Sequence, residues 1–73
     1  MYTLFTKENC SYCKKAKDLL DFMGEDYITH DITEGTNRQI VNERAGYEIK
    51  TVPQIWHDDT HIGGFTELSK YIG

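Results

Sequence analysis

The chain opens on Tyr2-Thr3-Leu4-Phe5-Thr6, where adjacent Leu4 and Phe5 fall on opposite faces of an extended segment, which predicts a central strand covered on both sides. After a polar break at Lys7-Glu8-Asn9, the stretch from Ser11 to Met23 places Ala16, Leu19, Leu20 and Met23 at i, i+3, i+4 and i+7. That is the apolar stripe of a helix, with Lys14, Lys15, Lys17, Asp18 and Asp21 turned outward and Gly24 as its stop. Tyr27 to Ile32 alternates, Ile28, His30 and Ile32 against Tyr27, Thr29 and Asp31, and reads as a second strand. A helical crossover predicts that it runs parallel to the first. Thr36-Asn37-Arg38-Gln39 has the form of a capping box, with Thr36 as N-cap and Gln39 at N3, opening a helix to about Ala45 that Gly46 ends.

Residues 47–50 read as a loop, followed by the stretch Thr51-Val52-Pro53-Gln54-Ile55-Trp56-His57, which holds the next strand. Pro53 belongs near the start of that strand, because proline donates no ladder hydrogen bond. Asp58-Asp59 predicts a two-residue hairpin turn, with return through Thr60-His61-Ile62 to Gly63-Gly64. The last helix is expected to begin near Thr66 as N-cap and to bury Leu68, Tyr71 and Ile72. The order is β-α-β-α-β-β-α, an α/β fold in a single domain over residues 1–73, without internal repeats or linkers.

A hydrophobic fraction of 38% and a charged fraction of 27% fit a small globular domain near the lower limit of a self-sufficient core. A net charge of −4 argues against nucleic acid as a partner. No apolar run approaches membrane-spanning length and the first residues lack the pattern of a signal peptide, so no membrane partner and a cytoplasmic location are expected. Against the acidic whole, Lys7, Lys14, Lys15 and Lys17 place four of the eight basic residues close together.

They surround Cys10-Ser11-Tyr12-Cys13, which holds the only two cysteines. A disulfide between them would close so small a loop that the chain-entropy gain is about 2 kcal/mol, against about 4 for a loop of some fifty residues. It is a poor staple, and the spacing points to a dithiol that opens and closes as chemistry. Cys10, at a helix start, faces unpaired N–H groups and the positive dipole end, both of which favour the thiolate; Cys13 lies a turn further in. Cys10 is therefore expected to attack and Cys13 to resolve. A zinc site would need more than these two ligands, with only His30, His57 and His61 to add, and no metal is expected. The histidines have no evident partner in the sequence, and strand-face or surface roles are expected for them.

The Cys-x-x-Cys after a strand, Thr51-Val52-Pro53 before a hairpin, and Gly63-Gly64-Phe65-Thr66 before the last helix together resemble a small dithiol glutaredoxin, over nearly the whole chain. The resemblance implies a thioredoxin-like fold: a four-stranded mixed sheet, two helices on one face and one on the other. It implies a glutathione-dependent thiol-disulfide oxidoreductase, monomeric, with glutathione as reducing co-substrate and disulfide-containing or glutathionylated proteins as partners. Ribonucleotide reductase is the commonest protein substrate it suggests. Lys7 matches the basic residue that contacts the glycine carboxylate of glutathione, and Tyr12 the aromatic residue that shapes the sulfur's surroundings. Thr51, Val52 and Pro53 match the cis-proline segment, where the Val backbone pairs with a substrate cysteine.

Gly64, Phe65 and Thr66 match the turn whose N–H groups bind the γ-glutamyl carboxylate. The family usually has Asp or Ser where Thr66 stands, which leaves a contact to the glutamyl ammonium open. Arg38 falls where the family has Gln or Arg reaching the glycine carboxylate; Gln39 competes with it, because the following loop looks longer than usual. Two alternatives remain. One is a glutathione-independent redoxin reduced by thioredoxin reductase. The other is a dimer holding a [2Fe–2S] cluster on two copies of Cys10 and two glutathione thiols, suggested by Ser11 where many dithiol relatives have proline.

Overall fold

The computed structural model describes residues 1–73. Strand β1 (Tyr2–Thr6) leads to helix α1 (Ser11–Phe22), strand β2 (Tyr27–Asp31), helix α2 (Asn37–Ala45), the hairpin β3 (Gln54–His57) and β4 (Thr60–Gly63), and helix α3 (Phe65–Ile72). The sheet order is β2-β1-β3-β4, with β1 parallel to β2 and antiparallel to β3, and β3 antiparallel to β4. This is the mixed four-stranded sheet and element order expected. No helix is long and apolar enough to cross a membrane.

Every residue of β1 is buried, as two-sided coverage requires. Leu4 joins Tyr2, Ala16, Leu20, Ile55 and Leu68 in a cluster under α1 and α3. Phe5, one residue on, joins Ile32, Val41, Ile49 and Trp56 in a second cluster under α2. The period-two alternation of a strand thus divides one apolar pair between two cores.

The three histidines take strand-face roles, as expected, and the structure supplies the partners that the sequence did not name. Each stacks or tilts on the aromatic residue directly opposite it on the neighbouring strand: His30 on Phe5, His57 on Tyr2, and His61 on Trp56. Cross-strand pairing in register produces all three contacts. His57 Nδ1 also lies 2.7 Å from the Tyr71 hydroxyl, which ties α3 to the sheet.

Several local expectations are corrected. Helix α1 ends at Phe22 with Met23 as its C-cap, and Met23 is 47% exposed, outside the buried stripe. Strand β2 stops at Asp31, and buried Ile32 lies beyond it. Thr36 occupies the N-cap of α2, but its side chain makes no capping bond. Instead the Asn37 Nδ2 donates to Asp31 O at 2.8 Å, and Gln39 is exposed. Strand β3 does begin directly after Pro53, at Gln54, as expected of a proline at a strand start, and the Val52–Pro53 bond is cis. Gly64, not Thr66, is the N-cap of α3, and Tyr71 is exposed rather than buried.

Candidate active site

Asn9 takes a left-handed conformation (φ 57°), which its short polar side chain tolerates, and turns the chain out of β1. Cys10 follows in extended geometry as the N-cap of α1. Its Sγ accepts the Cys13 N–H at 3.2 Å, so the sulfur meets one of the unpaired donors of the helix start. The first turn of α1 contains no acidic residue to compete with it. Cys10 and Cys13 are joined in a disulfide. Cys13 is 1% exposed while Cys10 is half-buried, so a partner approaching from solvent reaches Cys10.

On one flank, the Cys10 Sγ lies 3.8 Å from Val52 O, in the segment around the cis bond. Two cavities meet along Thr51 and Val52. One, of about 170 Å³, is lined by Lys7, Arg38 and Lys50 over an apolar floor of Ile32 and Ile49. Arg38 Nη2 donates to Ile49 O at 3.5 Å, which holds its guanidinium toward this cavity. The other, of about 160 Å³, is lined by Tyr12, Pro53, Gly64, Phe65, Thr66 and Glu67. There the N-terminus of α3 presents the N–H groups of Phe65, Thr66 and Glu67, since Leu68 is the first to bond back into the helix, to Gly64 O at 3.0 Å. Tyr12, with Lys15 Nζ 4.9 Å above its ring, faces Phe65 across this cavity.

A third cavity, of about 490 Å³, is lined by the two cysteines together with Lys7, Glu8, Asn9, Lys14 and Lys17. The sites expected at Lys7, Tyr12, Arg38, Thr51, Val52, Pro53, Gly64, Phe65 and Thr66 are thus brought around Cys10. Gln39 lines none of the three cavities.

Two residues of the site escaped the sequence reading. Lys50 completes the basic end of the first cavity; its place just before Thr51-Val52-Pro53 was the available signal. Glu67 folds back so that its Oε1 accepts the Gly64 N–H at 2.8 Å, placing a carboxylate at the rim of the second cavity. The spacing Gly64-x-x-Glu67 is that of a capping box, disguised because the N-cap is glycine. A side chain on Gly63, at φ 119°, would be strained and would meet Glu67 Cγ at 3.0 Å, so glycine there leaves room for this return.

The geometry can be set beside known proteins. The glutaredoxin family model matches residues 2–62. Glutaredoxin 1 of Escherichia coli is 35% identical over 94% of this chain and 88% of its own length. The solution structure of reduced Escherichia coli glutaredoxin superposes with a TM-score of 0.82 at 34% identity, over 97% of this chain and 91% of that one. A buckwheat glutaredoxin solved in complex with glutathione superposes at 0.80 with 25% identity, over 97% of this chain and 66% of that one. A Cys-x-x-Cys disulfide at a helix start, a cis-proline segment against the Cys10 sulfur and a match over most of the chain lead to one assignment: this protein belongs to the glutaredoxin family and is a thiol-disulfide oxidoreductase.

Proposed function

We propose that the reductant is glutathione, and that the substrates are protein disulfides and cysteines blocked by glutathione. The observation that carries this reading is the pair of cavities meeting at Val52 beside the Cys10 sulfur. One end is cationic, the other is a helix N-terminus, and the Thr51–Val52 backbone lies between them. A short peptide thiol with a carboxylate at each end suits that arrangement, and glutathione is one. The buckwheat glutaredoxin solved with glutathione adds support from a relative.

In the reaction, the Cys10 thiolate attacks a target disulfide, forming a mixed disulfide and releasing one target thiolate, which takes up a proton. Cys13 loses its proton to solvent and attacks the Cys10 sulfur, so the second target thiol leaves and the Cys10–Cys13 disulfide closes. A first glutathione thiolate opens that bond, forming a Cys10–glutathione mixed disulfide and freeing Cys13. A second glutathione releases glutathione disulfide and restores the Cys10 thiolate. Two electrons have then passed from two glutathiones to one target.

The test is a coupled assay comparing glutathione plus glutathione reductase with thioredoxin reductase as the electron source. Turnover with glutathione is expected, and the Cys13→Ser variant should still remove glutathione from mixed disulfides while losing reduction of protein disulfides. Turnover only with thioredoxin reductase would overturn the glutathione reading.

A further inference from the structure

Gln54 opens β3 directly after the cis bond and is only 6% exposed, and both polar atoms of its side-chain amide have partners. The Nε2 donates to Thr51 O at 2.9 Å, and the Oε1 lies 2.8 Å from His61 Nε2. A backbone carbonyl can only accept, so the amide group facing Thr51 must be the NH2, and the atom facing His61 must be the oxygen. His61 must therefore present a proton on Nε2. Its ring is held by stacking on Trp56 at 4.2 Å, and the Arg44 guanidinium lies 4.8 Å from the same indole. Burial first, and Arg44 second, push the His61 pKa down, which keeps this donor a neutral imidazole.

The peptide joining Thr51 to Val52 is trans and planar, so its carbonyl and its N–H point in opposite directions. With Thr51 O held toward buried Gln54, the Val52 N–H is turned the other way, and it makes no hydrogen bond within the chain. Thr51 and Val52 are also the residues shared by both cavities beside Cys10. We infer that His61 and Gln54 form a relay that aims the Val52 N–H at the backbone of an incoming cysteine substrate. The inference rests on the functional reading above and on the pairing of the Val52 backbone with a substrate cysteine that the family resemblance implies. Neither side chain touches a reacting sulfur; both are positioning residues. The relay favours disulfides whose cysteine lies within a peptide, because a disulfide without amides has nothing to pair with Val52.

Two variants test it. His61→Phe keeps an aromatic ring over Trp56 and removes the donor; Gln54→Glu keeps the shape and replaces the donor to Thr51 O with an acceptor. Each fully reduced protein is mixed by stopped flow, without glutathione, with the disulfide of a short cysteine peptide or with 2-hydroxyethyl disulfide. The rate constant for the peptide should fall about three- to tenfold, the scale of one weakened hydrogen bond. The rate with 2-hydroxyethyl disulfide should not change, and His61→Gln, which can still donate to Gln54, should recover most of the loss. Nitrogen-resolved NMR of the wild type should find the His61 proton on Nε2. Equal losses with both disulfides, no loss with either in folded variants, or a proton on Nδ1 would each overturn the inference. Because the probe is not glutathione, failure of the functional reading would appear in the coupled assay, and failure of the relay in these variants.

Discussion

Lys7 and Arg38 lie far apart in the chain but line one cavity, whereas Gln39, adjacent to Arg38, lines none. Lys7→Gln and Arg38→Ala are therefore expected each to weaken glutathione recognition by about 0.5–1.5 kcal/mol, as loss of one partly exposed charge-assisted contact should. Gln39→Ala should leave the Michaelis constant for glutathione unchanged; a reversed pattern would exchange their roles. The sequence alone left these two residues in competition, because loop length decides which of two neighbours on a helix faces the thiol. The histidines were opaque for a related reason: their partners are set by strand register, which alternation does not reveal. His61 carries a pH consequence as well. Its pKa is below 6.5 in the fold, so the unfolded chain binds more protons as pH falls below that value, and stability is lost in that direction. The charged group acting on it is Arg44, from α2. Denaturant titrations between about pH 7 and pH 5 should show the wild type losing more stability than His61→Phe, and identical slopes would refute this.

The helices show which end signals a sequence carries openly. The stripe of α1 was legible over Ala16 and Leu20, both fully buried, and failed only at its last turn, where Met23 rotates past the core. The two helix starts depart from expectation in different ways, α2 keeping Thr36 at its N-cap without a side-chain bond and α3 moving its N-cap to Gly64. At α2, Asn37 spends its amide on Asp31 O, anchoring the helix to the end of β2, while the Thr36 side chain makes no capping bond. At α3, glycine at the N-cap offers no side chain, and Glu67 alone closes the end. Glu67→Ala should therefore lower the stability of the domain by about 0.3–1 kcal/mol, the worth of an acidic group in the first turn. In a domain of this size that is a few degrees in Tm, since about 1 kcal/mol corresponds to 4–8 °C. Thermal denaturation of Thr66→Ala should give the wild-type value. A larger loss for Thr66→Ala than for Glu67→Ala would return the cap to Thr66.

Across the whole molecule, the two-sided burial of β1 was readable from a single apolar pair, because a strand has only two faces. The convergence of Lys7, Val52 and the Gly63-Gly64 turn on one sulfur was not readable from pattern; it entered through family resemblance, since three loops meet only once strand order is fixed. The charges are also arranged unevenly. Lys7, Lys14, Lys17, Arg38 and Lys50 border the cavities at the disulfide, whose lining includes the carboxylates of Glu8 and Glu67 alone, with Asp18 paired to Lys14 at 3.0 Å beside it, so nine of the twelve acidic residues lie elsewhere. An approaching anion accordingly meets a monopole of one sign and a near field of the other. At about 0.01 M salt the Debye length is about 30 Å, comparable with the molecule's longest dimension of 30 Å, and the repulsive monopole is felt at the cleft. At about 0.15 M that length falls to about 8 Å, and only the bordering cations still act. The association rate with anionic glutathione should thus climb with added potassium chloride, pass through a maximum and decline, whereas a monotonic decline would mean that the cations govern approach from every distance.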